Sequence, residues 1–372
     1  MLIFSQVARW LNLYIFLCKK ISLYLQKIIS KMNLLRNITG LFIAFQFLCY
    51  GLSAQDIHFS QFWASPLNLN PANTGQFEGD YRFVLNNKSQ WLSFANAYST
   101  FAGSIDAGFE DVIMQNSKQG VGFQINNDVA GDGRLATNQF ALSTAFSNYW
   151  DDSKRLKTSL GFGASYTMNS VDYSNFRFGS QYHIDQYDPY AAPKEVWEFE
   201  NIDYFSYNAG FFINYLIDTG FNINFGLAAF QINRPKKGFF ESSESYLPVK
   251  WAYSLQAEYH IKDDLWAEPY LLFMHQQKYR ELLIGGLLRI DYNPLTFRSF
   301  YCGVLLRTAD AGIFVLGSQY QDFKLTISYD VNISGLTRIS RGKGGFEFSL
   351  IYIIMKPRPF ETPYYRKCPD FI

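Results

Sequence analysis

Apolar and polar residues alternate with a period of two from about residue 80 to the C-terminal region. The clearest run has Leu160, Phe162, Ala164, Tyr166 and Met168 on one face. Its other face carries small or polar residues, namely Ser159, Gly161, Gly163, Ser165 and Thr167. Such alternation predicts half-buried strands. The small, uncharged character of the polar face is expected for residues that face the interior of a barrel.

About fourteen segments have this pattern. They begin near residues 80, 98, 119, 136, 156, 204, 220, 250, 265, 281, 298, 311, 323 and 344. An even number of strands is typical of bacterial single-chain outer-membrane barrels. The pattern therefore predicts an all-β fold, a single transmembrane β-barrel of about 14 antiparallel strands preceded by an irregular N-terminal segment.

The lengths of the connections agree with a barrel. The two longest gaps, about 170–203 and 232–249, follow the fifth and seventh strands. Short connections at Ile217–Gly220, Lys262–Asp264 and Gln321–Asp322 all follow even-numbered strands. Outer-membrane barrels have short periplasmic turns and longer extracellular loops. The two long connections are therefore predicted to face outward.

The composition supports a membrane barrel more than a soluble β-sandwich, which remains the alternative. Aromatic residues make up 19% of the chain and charged residues 17%, while the mean hydropathy is only −0.10. Soluble domains have about 25% charged residues. The net charge of +1 does not provide the basic surface that a nucleic-acid partner requires.

The first 54 residues are predicted to be a targeting region. Met32 begins a stretch with Arg36 and the apolar run 38–48, and Ala54 precedes Gln55 at the expected cleavage site. Residues 32–54 are thus a predicted signal peptide. Residues 1–31 are either a mis-assigned start or an amphipathic N-terminal helix. The mature chain is then divided into a pre-barrel segment at 55–79, a barrel at 80–356 and a tail at 357–372.

Residues 55–76 form an unusual segment ahead of the first strand. Pro66 and Pro71 exclude a long regular helix or a central strand here. Phe59, Phe62 and Trp63 are too apolar to remain in water. The segment is predicted to pack into the periplasmic mouth or the lumen of the barrel; the alternative is a simple N-terminal tether.

Several separate motifs resemble those of the PorP/SprF family. The run from Phe59-Ser60-Gln61-Phe62 through Pro66, Asn70-Pro71 and Gly75 looks like the family's opening signature. Further similar stretches are Phe178–Gln181, Asn233–Pro235, Cys302–Ala311, Ser328–Leu336, Gly345–Leu350 and Cys368–Phe371. In the first of these Ser180 replaces a usual Asp. Together the motifs cover about residues 55–372.

This resemblance implies a component of type IX secretion and gliding machinery in the outer membrane of Bacteroidota. It implies a docking or anchoring barrel whose partner is a secreted adhesin-like surface protein or a periplasmic component of the system. Outer-membrane lipid surrounds such a barrel, and no nucleic acid is expected. The candidate motif and partner residues are Ser60, Gln61, Phe62, Pro66, Asn70, Pro71, Gly75, Arg307, Asp310, Tyr329, Asp330, Ser334, Gly335 and Glu347.

No pattern for catalysis, a cofactor or a metal is found in the sequence. The four histidines, His58, His183, His260 and His275, lack HExxH spacing, although His260 and His275 could face each other across a hairpin. The acidic loop 185–200 lacks the ligand spacing of an EF-hand, and Gly131-Asp132-Gly133 lacks the Lys and helix of a phosphate loop. Cys302 and Cys368 could form a disulfide or remain as thiols.

Two other functions remain open at this point. The first is an outer-membrane transporter for apolar small molecules, since such transporters also have about fourteen strands. The second is an outer-membrane hydrolase, which would need a histidine beside Ser or Asp at one rim. The histidine pattern makes the hydrolase the weaker of the two, and the chain is not predicted to be an enzyme.

Overall fold

The computed structural model describes residues 58–90, 98–131, 134–172, 176–183, 186–188, 190–191, 201–238, 245–292, 296–333 and 342–356. Its main feature is a closed antiparallel barrel of fourteen strands, as the alternation predicts. The predicted signal peptide, its cleavage site at Ala54 and Gln55, and the tail from residue 357 lie outside the described residues. No described helix is both long and apolar enough to span a membrane.

The described residues form sixteen strands, and fourteen of them build the barrel. The barrel strands are β1 (Tyr81–Gln90), β2 (Tyr98–Glu110), β3 (Ser117–Ala130), β4 (Leu135–Tyr149), β5 (Leu156–Ser170), β8 (Asn201–Asp218), β9 (Phe221–Phe230), β10 (Lys250–Lys262), β11 (Leu265–Gln276), β12 (Tyr279–Asp291), β13 (Phe297–Arg307), β14 (Ala311–Tyr320), β15 (Phe323–Asn332) and β16 (Lys343–Ile354). Every one begins within three residues of its predicted start. The pattern did not predict a small separate hairpin, β6 (Tyr182–His183) with β7 (Gln186–Tyr187), between β5 and β8.

The barrel closes because β1 pairs with both of its neighbours along its whole length. Tyr81 to Gln90 pair with Ile354 to Gly345 of β16 on one side and with Ala107 to Tyr98 of β2 on the other. Closure leaves no strand edge with unpaired N–H and C=O groups, which is the condition for crossing lipid.

The connections separate the barrel into two different ends. The long connections 171–200 and 231–249 join strands at one end, which we call the loop end. The two-residue turns at 219–220, 263–264 and 321–322 lie at the other end, which we call the turn end, together with the start of β1 and the end of β16. This is the arrangement that the predicted loop parity requires.

The two faces of each strand meet different environments. On β5, Leu160 and Phe162 point outward and are 53% and 62% exposed, whereas Ser159 and Thr167 point inward and are buried. Similar large apolar side chains are exposed around the outer surface, including Phe101, Leu142, Phe205, Val304, Phe314 and Leu325. An outward apolar band of this kind is the surface that contacts lipid in transmembrane barrels.

The inner surface is divided into an apolar half and a polar half. The mainly apolar half is formed by β9–β14 and contributes buried side chains such as Leu272, Leu283, Leu287, Ile313 and Val315. The same strands also carry the buried charges Glu268, Glu281 and Arg307. The polar half is formed by the remaining strands and carries Asn86, Gln124, Asn126, Thr167, Ser206, Thr326, Ser328 and Ser349, all buried. An element that occupies this lumen therefore needs one apolar and one polar side.

Candidate functional site in the barrel lumen

The N-terminal segment lies inside the barrel and not beside it. Residues 58–76, which we call the luminal segment, form hydrogen bonds to wall strands on several sides of the barrel, among them β1, β3, β5, β8 and β15. The segment begins at the loop end and descends to the turn end, where the chain enters β1. The two placements left open by the sequence, mouth or lumen, are thus decided for the described part in favour of the lumen.

The local conformation of the segment follows from its prolines and polar side chains. It consists of three short turns, at Phe62–Ala64, Pro66–Leu69 and Pro71–Asn73. Pro66 and Pro71 each occupy the first position of a turn, where a missing N–H costs nothing. The Asn70 side chain accepts a hydrogen bond from the N–H of Ala72 at 2.8 Å, so it caps the third turn.

A buried carboxylate holds the start of the segment at the loop end. The two oxygens of Glu347 accept hydrogen bonds from the successive backbone N–H groups of Ser60 and Gln61 at 2.8 and 2.9 Å. The Gln61 amide donates to Ser328 Oγ at 3.0 Å and accepts from Thr326 Oγ1. Because such charge-assisted bonds are stronger than neutral ones, Glu347 is the main fixed point of this part of the segment.

An arginine and several acidic groups surround Ser60. The Ser60 hydroxyl donates to Asp330 Oδ2 at 2.8 Å and accepts from the Arg307 guanidinium. Arg307 also pairs with Asp330 at 3.1 Å and with Asp310 at 2.9 Å, and its Nε lies 3.7 Å from Glu281. We refer to Lys88, Glu281, Arg307, Asp330 and Glu347 as the loop-end cluster, and all five are buried.

Two hydrogen bonds from β1 also hold the luminal segment near the loop end. Lys88 Nζ donates to the carbonyl of His58 at 3.3 Å, and the Asn86 amide donates to the carbonyl of Ala64 at 3.2 Å. The wall therefore recognises the backbone of the segment as well as its side chains. Extended peptide chains are held in the same manner by proteins that bind them through main-chain hydrogen bonds.

The apolar side of the segment packs on the apolar half of the wall. Phe62 and Leu69 are buried in one cluster with wall residues of β9–β14. The Trp63 ring stacks on Tyr270 with centroids 4.6 Å apart and an interplanar angle of 6°. Phe62 meets the same Tyr270 edge-on at 5.8 Å. Stacked and edge-on ring pairs each stabilise packing beyond the buried area alone.

The lower part of the segment is fixed by polar contacts at the turn end. The Asn70 amide donates to the carbonyl of Phe211 at 2.9 Å, and Ser159 Oγ donates to the carbonyl of Ala72 at 2.8 Å. The N–H of Gly75 donates to Asp106 at 2.7 Å, and the same carboxylate pairs with Arg82. The segment is thus attached at both ends of the lumen.

Glycines in the wall create the space that the segment occupies. A Cβ built on Gly120 would lie 2.0 Å from the carbonyl oxygen of Thr74, and one on Gly161 would lie 2.2 Å from the backbone nitrogen of Ala72. At Gly210 the clash would be with the side-chain oxygen of Asn70. These clashes involve groups that cannot move without shifting the segment. The wall sequence is therefore matched to this particular occupant.

The structure brings together most of the candidate residues from the sequence. Ser60, Gln61, Arg307, Asp310, Asp330 and Glu347 form one connected network at the loop end, although they are separated by up to 287 positions in the chain. Phe62, Pro66, Asn70, Pro71 and Gly75 lie along the luminal segment. Tyr329 differs, because it points outward and is 43% exposed. Ser334 and Gly335 lie outside the described residues, and a role of these residues in binding a partner stays a prediction.

The sequence analysis did not select three parts of the site: Lys88, Glu281 and the Arg82–Asp106 pair. Lys88 and Glu281 belong to the loop-end cluster, and Arg82 pairs with Asp106 at the turn end. Each is a charged residue at an inward position of a barrel strand, and β1 alone carries two of them, Arg82 and Lys88. An inward charge in a predicted barrel strand would have been the usable signal.

The structure separates the two histidines of the β10–β11 hairpin. His260 pairs with Trp266 and His275 with Trp251, so the two lie at opposite ends of the β10–β11 hairpin, and the expectation that they could face each other is wrong. Within the described residues, no group of three or more His, Cys, Asp or Glu side chains is arranged to hold a metal. Cys368 lies outside the described residues, so both alternatives from the sequence, a disulfide with Cys302 and two free thiols, stay open.

Comparison with solved structures finds other outer-membrane barrels at low similarity. A toluene transporter of Ralstonia pickettii, TbuX, has a TM-score of 0.47 at 12% identity, covering 78% of this chain and 92% of that one. A FadL homologue of Pseudomonas aeruginosa gives 0.43 at 10% identity, with 76% and 92% covered. The toluene transporter TodX of P. putida gives 0.42 at 8%, with 77% and 93% covered. A search of curated proteins finds no match.

The family comparison is more informative. Residues 51–352 match the model of the type IX secretion system membrane protein PorP/SprF. The matched range is most of the chain and includes the luminal segment and every barrel strand, apart from the last two residues of β16. This family and this fold describe a secretion-system membrane barrel and not a class of enzymes. The chain thus belongs to the PorP/SprF family of type IX secretion system membrane proteins and is an outer-membrane β-barrel.

Proposed function

We propose that this barrel anchors a surface-exported, adhesin-like protein at the outer membrane as part of type IX secretion and gliding. Periplasmic components of the secretion system are the other class of partner. In this proposal the barrel provides a fixed position in the membrane and a binding surface at its loop end. It does not provide a diffusion path or a reaction.

The observation that carries the proposal is the occupied lumen. The luminal segment is attached to the wall at the loop end through Glu347 and at the turn end through Asp106. Between these points its apolar side chains fill the apolar half of the wall. A barrel built around a fixed internal segment is suited to rigid docking, because binding surfaces on rigid elements are held more accurately than those on loops.

Deletion of the gene tests the anchoring role. The exported partner would be expected to leave the cell surface and accumulate in the medium, while total production of that protein stays the same. The readout is mass spectrometry of the washed cells and of the medium, and complementation with the intact gene should restore attachment. Unchanged surface proteins after deletion would contradict the proposal.

A second candidate is a transporter of apolar small molecules. The apolar half of the lumen favours it, since an apolar wall lowers the cost of passage for such solutes. This candidate predicts that deletion slows uptake of an aromatic hydrocarbon such as toluene and leaves surface proteins in place. The two candidates therefore give opposite results in the same deletion strain.

A further inference from the structure

A cleft opens at the loop end between the luminal segment and the wall. Its volume is about 370 Å³, part of which is open to solvent. The segment contributes His58, Phe59, Phe62, Ser65, Asn68 and Leu69 to the lining, and strands β9–β11 contribute Phe230, Lys250, Ala252, Leu272 and Met274. The cleft thus exists only when the segment is seated in the lumen.

The lining is mostly apolar, with His58, Ser65 and Asn68 as polar members and Lys250 as a positive charge. Phe59, Phe62, Leu69 and Leu272 are buried, and Lys250 Nζ lies 5.0 Å from the centre of the Phe230 ring. A mostly apolar pocket with a few placed polar groups is the usual form of a binding site. The recess is small and partly open to solvent, so it suits one side chain better than a large ligand.

The rim near this cleft is basic. Among the described residues at the loop ends of β9–β12, the positive side chains are Arg234, Lys236, Lys237, Lys250, Lys278 and Arg280. The acidic residue in the same described stretches is Glu281, which is buried beside Arg307 and His58. The sequence also has Glu241 and Glu244 in the connection between β9 and β10, outside the described residues, so positive side chains still outnumber negative ones here. An approaching chain with carboxylates would therefore meet a complementary surface.

We propose that this cleft receives one aromatic or branched aliphatic side chain of the exported partner, from a stretch of chain that carries Asp or Glu beside it. This inference rests on the proposed anchoring function and names the chemistry of the contact. The floor of the cleft is formed by Phe62 and Leu69 of the segment, which lie within the buried apolar cluster. The inner end of the cleft is therefore blocked, so the cleft is suited to receive an anchoring side chain and is not the entrance to a passage.

A zero-length cross-link tests the contact in the intact complex. Cells that carry the tagged full-length chain are treated with a water-soluble carbodiimide, which joins a lysine amine to a carboxylate in direct contact. The linked peptides of the purified complex are then identified by mass spectrometry. We expect Lys250 to be joined to an Asp or Glu of an exported protein, with an apolar residue within two positions of it. Lys278, exposed in the β11–β12 turn at the same end, provides the comparison.

Two variants with matched controls test the cleft itself. Ala252→Leu fills the recess from the wall, whereas Ala257→Leu adds the same volume on the outward face of the same strand. Lys250→Glu reverses the charge at the recess, whereas Lys262→Glu reverses an exposed charge at the turn end of the same strand. We expect the first member of each pair to lower the amount of captured partner about tenfold, as loss of a central anchor does, and the control to leave it unchanged.

The outcomes separate this inference from the proposed function. If a partner is captured but Lys250 forms links only within its own chain and both cleft variants capture normally, the cleft proposal is overturned and anchoring stands. If no exported protein is captured by the unaltered chain, anchoring itself fails. Folding of each variant is checked by its faster migration on a denaturing gel before heating, so that a loss of capture is attributed only to folded barrels.

Discussion

Arg307 shows how many polar partners a single buried residue has inside this lumen. It is 1% exposed and faces Asp330, Asp310 and Glu281 as well as the hydroxyl of Ser60. Burying a guanidinium and several carboxylates is costly, and the cost is offset only while all the partners are present. The loop-end cluster is therefore sensitive to loss of any one member, and its integrity depends on the seated segment.

Replacing Arg307 tests this sensitivity. Arg307→Ala leaves Asp330 and Glu281 buried without a cation that both of them face, which typically costs about 3–5 kcal/mol. The matched control is Arg298→Ala, because Arg298 pairs with Asp322 in an exposed position at the rim. Exposed pairs contribute about 0–1 kcal/mol. The free energy of unfolding, from urea titration of the barrel in detergent micelles, should fall markedly for the first variant and little for the second. Equal values for both would contradict this description of the cluster.

Substitution of a wall glycine tests whether the luminal segment depends on its close approach to the wall, without removing any charged group. Gly161→Val places a side chain where Ala72 now lies, so the segment should leave its place while the strand pairing of β5 continues. We expect new protease cleavage within residues 58–76 and an intact barrel fragment. Gly312→Val is the control, because nothing lies within 4 Å of a Cβ at that outward position. Protection of the segment in both variants would show that it does not depend on this close approach.

At the residue scale, the sequence predicted the members of the site better than their arrangement. Ser60, Gln61, Arg307, Asp330 and Glu347 were selected because they occur in family-like motifs, and the structure joins them in one network. Lys88 and Glu281 were missed because the alternation was used to locate strands and not to search their inward positions for charges. Which inward residues face each other depends on the register around the barrel, and no local pattern contains that information.

At the scale of elements, strand positions could be read from alternation because each strand separates lipid from the lumen. All fourteen barrel strands were located in this way, and the long connections were placed correctly at one end. The β6–β7 hairpin was not, because two-residue strands are too short to show a period. The turns of the luminal segment follow from Pro66, Pro71 and Asn70, but its position inside the barrel follows from contacts with distant strands.

Thiol labelling tests which end of the barrel faces the outside. A cysteine at Lys237, in the long connection between β9 and β10, should react with a membrane-impermeant maleimide on intact cells. A cysteine at Asp263, in the tight β10–β11 turn, should react only after the outer membrane is opened. The parent chain gives the background from its natural cysteines. The reverse labelling pattern would place the loop end in the periplasm and remove the cleft from the cell surface.

At the scale of the whole molecule, the division of the lumen into two halves explains why a chain segment occupies it. The segment presents Phe62, Trp63 and Leu69 to the apolar half and Asn68 and Asn70 to the polar half. Water alone would leave the apolar half without favourable contacts, and an apolar filling would leave buried amides and carboxylates unpaired. An amphipathic segment satisfies both halves, and the barrel and the segment therefore form one folded unit.

Electrical conductance across a planar lipid bilayer tests the central claim, a barrel closed by its own N-terminal segment, most directly. The intact protein should insert and remain silent, whereas the Gly161→Val variant and a chain lacking residues 58–76 should pass steady ion currents, because their lumen is vacated. Insertion of the silent protein is verified by its heat-dependent gel shift after recovery from the membrane. A steady current through the intact protein, equal to that of the variants, would contradict the closed barrel and favour a transport function.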